Sequence, residues 1–334
     1  MMAVNRLLNI REPAALDELS ARPGLPEFAA DTLRRQAPDA HWVVLDGEGQ
    51  VAGRCSLWWR ATPAHPGHRL GLIGHYAADN MAVGRQLLDR ACEELRANGC
   101  TLAVGPMDGN TWRSYRFVTE SQGAPPFFLE PVNPSEWPRQ FTETGFTPLA
   151  RYHSSADEHL EDEGDEQARR ATARMTKLGV TLRAFDPGRF DEELRSIHQM
   201  VTTSFRGGFL YQPIAEAEFA ALYEPIRAHL RPDLVTIAMH EDRPVGFIFT
   251  LPDLFQARDG GRIDTAIVKT LAVLPARRFA GLGSHLAAAS RRTARAMGCR
   301  RLIHALMHES NSSRRIRAAY ATPLRGYTLF AKPL

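Results

Sequence analysis

Apolar and polar positions along this chain change period repeatedly, and the changes come in one order twice. In the first half Leu7 to Arg11 reads as a strand, and Leu16, Leu19, Phe28 and Leu33 predict a helical stretch. Trp42-Val43-Val44-Leu45 and Val51 to Trp58 flank Asp46-Gly47-Glu48-Gly49-Gln50, the pattern of a β-hairpin. Leu70 to His75 is strand-like. Met81 to Asn98 predicts a helix, because Val83, Leu87, Leu88, Ala91 and Leu95 share one face, and Gly99 supplies a C-cap before a strand over Thr101 to Val104.

The second half repeats the order: a strand over Val180 to Phe185, helices over Phe190 to Thr203 and Ala215 to Leu230, and a hairpin of Val235 to Met239 with Val245 to Leu251. Short stretches of text repeat too. Ala97-Asn98-Gly99-Cys100 answers Ala296-Met297-Gly298-Cys299, and each Gly-Cys pair precedes a strand that reaches a Met, at Met107 or Met307. The shared order predicts a duplicated unit. Between the copies, an acidic run from Glu158 to Glu166 leads into Arg169, Arg170 and Arg174, the composition of a solvated linker helix. The expected division is residues 1–156, a linker over 157–177, and residues 178–334.

One join stands out. Val268, Leu271, Val273 and Leu274 have the character of a buried strand, which ends at Pro275; from Leu282 onward, Leu282, Leu286, Ala289, Thr293 and Met297 recur at helical intervals. The residues between read Arg278-Phe279-Ala280-Gly281-Leu282-Gly283-Ser284. Unpaired N–H groups, the positive end of the helix dipole and glycines that admit close approach make such a join an anion site suited to a diphosphate, and Arg278 adds charge. An ordinary strand-to-helix turn carries the same R-x-x-G-x-G text. No Gly-Lys-Ser/Thr follows, which excludes a Walker loop, and the G-x-G-x-x-G order of a dinucleotide fold is missing.

Composition narrows the classes. A chain of 334 residues is long enough for two domains, and its net charge of +3 is carried almost wholly by Arg, with Lys only at Lys177, Lys269 and Lys332. Cys55, Cys92, Cys100 and Cys299 show neither metal spacing nor a secreted framework, so reduced thiols and no metal site are expected. No export core or membrane-length apolar run is present, which points to a cytoplasmic protein without a membrane partner.

The strand with V-x-P, the R-x-x-G-x-G-S loop and the long amphipathic helix together resemble the acyl-CoA loop of the GNAT acetyltransferase superfamily. That resemblance implies an α/β fold of two tandem GNAT-like units, each a mixed twisted sheet flanked by helices. It also implies acetyl-CoA as co-substrate, with the pyrophosphate held at Arg278, Phe279, Ala280, Gly281, Leu282, Gly283 and Ser284 and pantetheine paired along Leu271, Ala272 and Val273. Asn311, just after the strand from Arg301 to Met307, matches a frequent feature of the family. The implied reaction is acetyl transfer to an amine of a small molecule or protein, for which backbone N–H groups near Leu271 to Val273 would polarise the carbonyl.

Two departures leave the catalytic residues unassigned. Phe279 stands where many members have Gly, and Ala318 stands where many have a phenolic acid, with Tyr320 and Tyr327 as the available phenols. His308 and Glu309 are candidates for the base, set against a capping or solvent role. In the first unit the corresponding join, His75-Tyr76-Ala77-Ala78-Asp79-Asn80, has no glycine pair, and Phe141 replaces the usual Tyr, so this unit is expected to bind no CoA. Its insertion, Gly105 to Trp112 with Pro125-Pro126-Phe127-Phe128, reads either as an acceptor-facing lid or as packed core. Two other functions compete: a non-catalytic acyl-CoA-binding module, and a nucleic-acid binder built on Arg291, Arg292, Arg295, Arg300, Arg301, Arg314, Arg315 and Arg317. Those arginines lack interleaved aromatics for base stacking, so nucleic acid is not expected as a partner.

Overall fold

A computed structural model describes residues 5–160, 166–258, 260–310 and 321–334. The first half supplies β1 (Arg6–Asn9), α1 (Ala30–Gln36), β2 (Ala40–Leu45), β3 (Val51–Trp58), β4 (Leu70–Ala78), α2 (Met81–Ala97), β5 (Leu102–Gly105), β6 (Phe117–Ser121), α3 (Glu136–Glu143) and β7 (Thr147–Asp157). Helix α4 (Glu166–Lys177) leads to β8 (Thr181–Ala184), α5 (Phe190–Ser204), α6 (Glu216–Tyr223), β9 (Val235–His240), β10 (Arg243–Pro252), β11 (Thr265–Val273), α7 (Leu282–Ala296), β12 (Arg301–His308) and β13 (Ala321–Pro333).

Proline decides where two expected helices fail. The stretch from Leu16 to Leu33 forms only a turn at Pro13–Leu16 and then α1, because Pro23, Gly24 and Pro26 lie between them. The helix expected over Ala215 to Leu230 stops at Tyr223, since Pro225 lacks the N–H and clashes one turn back; a 3₁₀ turn over Glu224–His229 follows.

The strands form one sheet in the order β1-β2-β3-β4-β5-β13-β7-β12-β11-β10-β9-β8, with β6 paired to β13 beside this path. Chain order and spatial order part at the end of each unit. Strand β7 lies against β12, with Leu302 opposite Asp157, while the last strand β13 lies against β5, with Phe330 opposite Gly105. Continuous backbone pairing therefore joins the two units. Helix α2 packs Leu87, Leu88 and Leu95 into the first unit's core, and α7 packs Leu282 and Leu286 against Ile248 and Val268 in the second. On the opposite face α5 and α6 bring Phe190, Ile197 and Phe219 against Phe247, Phe249 and Ile267.

Phe127 of the first unit is buried in that same second-unit cluster. Trp112 donates its indole N–H to Gln212 O at 2.8 Å and stacks edge-on against Phe219. The aromatic insertion is thus a packed arm laid on the neighbouring unit. Helix α4 also departs from the solvated reading: Ala171 and Met175 are buried on its inner face. Residues 161–165 of the acidic run lie outside the described residues.

Candidate active site

The two strand-to-helix joins differ in ways that decide which of them can take an anion. At α2, Asn80 is the N-cap and its side chain accepts from the Val83 N–H at 3.0 Å, so a first-turn donor is already satisfied. At α7 the N-cap is Gly281, with φ of +92° and no side-chain cap. The first-turn N–H groups of Leu282, Gly283 and Ser284 therefore lack the side-chain acceptor that α2 has. A Cβ at Gly281 would be strained by this backbone and would meet the Ala171 Cβ at 3.4 Å.

Beside that open end the sheet splits. Strands β11 and β12 run parallel from Thr265 opposite Arg301 to Val268 opposite His304 and then part. From Thr270 to Val273, β11 has only its β10 partner among the described residues, and a register shift falls at the divergence. Strand β12 also shifts register between His304 and Met307, where Leu306 takes φ of +59°, before it continues along β7. Leu271, Ala272 and Val273 therefore line one side of a wedge that leads from the Gly281 end.

In the first unit the same wedge is filled by its own chain. Beyond Leu72, Met107 N–H donates to Ile73 O at 2.8 Å, His75 N–H donates to Asp108 Oδ1 at 2.7 Å, and the Trp137 indole donates to Ala78 O at 2.9 Å. A Cβ on Gly74 would stand 2.4 Å from Met107 O, so the plug fits against bare backbone. Phe141 is wholly buried in this core. These contacts occupy the first unit's counterpart of the wedge, beside the join that lacks the glycine pair.

Of the sequence-predicted residues, Arg278, Ala280 and Gly281 are exposed, Gly283 is half-buried, and Leu282 and Ser284 are buried. Phe279 is core: its ring meets His240 edge-on at 5.5 Å, which accounts for an aromatic where a glycine was expected. The Arg278 guanidinium lies 4.9 Å from that ring. Asn311, Ala318, Tyr320, Arg314, Arg315 and Arg317 lie outside the described residues. Arg291 is paired with Asp157 at 2.8 Å and Arg301 with Glu158 at 2.6 Å, so two of the basic cluster serve the fold.

A polar track crosses the floor of the wedge, and most of it was invisible in the sequence. Leu306 N–H donates to Ser154 Oγ at 3.0 Å, Ser154 Oγ is 2.9 Å from Tyr327 Oη, and Tyr327 donates in turn to Glu130. Arg325 pairs with Glu130 at 2.8 Å, and the Phe127 N–H donates to its other oxygen at 3.2 Å. Burial raises the Glu130 carboxyl, opposed by Tyr327 and Arg325; burial, then Glu130, raises the Tyr327 phenol. At the register shift in β11, Lys269 Nζ donates to Leu129 O at 2.9 Å. Burial and the nearby Arg116 push this amine down to about 8, with Glu130 acting in the other direction. At the other side of the wedge, His308 Nδ1 is 2.8 Å from Ser310 Oγ, and burial lowers its imidazole.

Comparison with known proteins fits this geometry. The Acetyltransferase (GNAT) family model matches residues 194–320. The bacterial ceramide synthase of Caulobacter vibrioides is 27% identical over 214 residues, covering 63% of this chain and 55% of that protein. Protein YghO of Escherichia coli is 22% identical over 225 residues, with 65% and 55% covered. The chain thus spans about half the length of these curated relatives. A tandem GNAT protein from the clavulanic acid biosynthesis pathway shares the fold at a TM-score of 0.53 and 14% identity, over 99% of this chain and 98% of that one. The glucosamine N-acetyltransferase region of a fungal multi-domain β-N-acetylglucosaminidase gives 0.58 at 14% identity, over 99% of this chain and 38% of that one. Residues 194–320 thus carry an Acetyltransferase (GNAT) family domain, and the doubled fold around them is shared with a tandem GNAT protein.

Proposed function

We propose that the second unit transfers an acyl group from an acyl-CoA, acetyl-CoA being the simplest, to an amine and forms an amide. The observation that carries this reading is the uncapped α7 terminus at Gly281 opening onto the wedge between β11 and β12. The residues present fit the donor: N–H groups of the Gly281–Ser284 turn for the diphosphate, and the unpaired edge of Leu271 to Val273 for the pantetheine arm. CoA supplies a thioester whose C–S bond breaks as the C–N bond forms, the amine proton ending on the thiol. Lys269 and His308 stand at the two sides of the wedge, and burial lowers the proton affinity of both, which supports them as candidates to take that proton.

The relative named a ceramide synthase supports an amine carried on an apolar body, since a ceramide is an N-acylated long-chain amino alcohol. Two of the exposed large apolar side chains flank the wedge in keeping with that: Leu129, whose carbonyl holds Lys269, and Phe209, whose ring lies 5.2 Å from His308. Calorimetry of the whole chain with acetyl-CoA, then thiol release across short-chain and long-chain amines, tests the proposal. Binding is expected in the wild type and lost in Gly281→Glu, which sets a carboxylate where phosphate sits. No binding by the wild type overturns the proposal; binding without thiol release for any amine reduces the protein to an acyl-CoA-binding module.

A further inference from the structure

Helix α4 belongs to the segment between the units, yet it lies across the base of the anion loop. Thr172 Oγ1 is 3.0 Å from His285 Nδ1 in the first turn of α7. The Arg174 guanidinium reaches three loop carbonyls: Nη1 donates to Ala280 O at 2.8 Å, and Nη2 donates to Arg277 O at 3.3 Å and Arg278 O at 3.4 Å. In a trans peptide the C=O of one residue and the N–H of the next point in opposite directions. Carbonyls turned onto Arg174 at residues 277 and 280 therefore send the N–H groups of Arg278 and Gly281 to the far side of the loop. The guanidinium also covers carbonyl oxygens whose negative ends would repel a diphosphate, and places a positive charge behind the cradle.

We propose that Arg174 is a positioning residue for the diphosphate of the acyl donor, fixing the peptide planes of the 277–281 segment so that the N–H groups of Arg278 and Gly281 face it. The inference rests on the donor-binding reading of this loop. Among the described residues the Arg174 guanidinium hydrogen-bonds to the loop alone, so its loss acts on donors that carry a diphosphate and spares those that do not.

The test compares acetyl-CoA with acetyl-pantetheine, which lacks the diphosphate, in the wild type, Arg174→Ala and Arg174→Lys. For Arg174→Ala the KM for acetyl-CoA is expected to rise about 10- to 100-fold, the scale of a lost charge-assisted hydrogen bond, with kcat retained. The KM for acetyl-pantetheine should stay unchanged, and Arg174→Lys should recover part of the loss. An equal rise for both donors, or no rise for either, overturns the proposal. Hydrogen exchange on the protein without donor separates this inference from the one it rests on. The amides of Phe279, Ala280 and His285 are bonded at 2.9, 3.1 and 3.1 Å and should exchange faster in Arg174→Ala. Unchanged exchange overturns the role of Arg174; faster exchange in a chain that binds no acyl-CoA keeps its hold on the loop and discards the donor reading alone. Should Arg174→Ala fail to fold, Arg174→Lys carries both measurements, with a smaller shift in the same direction.

Discussion

The buried cluster His41, Ser56, His75 and Asp108 in the first unit should make the whole chain sensitive to mild acid. Ser56 Oγ lies 2.7 Å from His41 Nδ1 and 2.8 Å from His75 Nδ1, and His75 Nε2 lies 3.0 Å from Gln36 Oε1. Burial, then the neighbouring charges of His75 and Arg54, pushes His41 down to about 3. Burial, then Arg54 and Arg113, does the same to His75, also to about 3. Both imidazoles are neutral when folded and become protonated on unfolding below the ordinary histidine value of 6.5. Each thus contributes stability that is fully present above pH 6.5 and is lost as pH falls toward 3, at roughly 1 kcal/mol per pH unit. Asp108 runs the other way, because burial raises its carboxyl to about 6 despite the His75 N–H and the arginines, so the folded state gains a proton first. Between pH 6 and 4 one of the two histidine slopes is cancelled and a net loss of roughly 1 kcal/mol per pH unit remains. Urea unfolding at pH steps from 7 to about 4.5 measures this slope. In His75→Gln, which keeps a polar partner for Ser56, the slope between pH 6 and 4 should nearly vanish. Parallel curves for the wild type and His75→Gln would refute the reasoning.

Other consequences follow from the track under the wedge. Glu130→Ala leaves the Arg325 guanidinium buried without its carboxylate and should cost about 3–5 kcal/mol in urea unfolding, while the double change Glu130→Leu with Arg325→Met should recover most of it; equal losses would show the pair to be inert. Tyr327→Phe leaves Glu130 with Arg325, and Ser154 with the Leu306 N–H, so a loss of about 1 kcal/mol with most of kcat retained is expected. A fall of several hundred-fold in kcat at unchanged acetyl-CoA affinity would instead identify Tyr327 as the acid for the departing thiol.

What the sequence disclosed was local, and what it hid was distant. The loop from Arg278 to Ser284 stood out because the change from strand to helix period and the glycine pair are signals carried within a few residues. Arg174 is 106 positions from Ala280, and Glu130 is 197 from Tyr327, so no window contains either partnership. The strand exchange was hidden for another reason. An alternating strand states which of its faces is buried and is silent about which neighbour it pairs, so β7 and β13 read identically whether each closes its own unit or the other's. The exchange then decides how the chain can be dissected. Residues 1–156 alone would leave β5 without β13 beside it, and residues 178–334 alone would leave β12 without β7, exposing unpaired strand edges in the middle of both halves. Because the wedge is bounded by β12, and β12 is held on its outer side by β7, the first unit supports the wedge of the second, while the matching wedge of the first is filled by its own chain. Expressed apart from residues 1–156, the second unit should therefore bind no donor, and mixing the two separate fragments should restore binding only when β7 and β13 pair with their partners again.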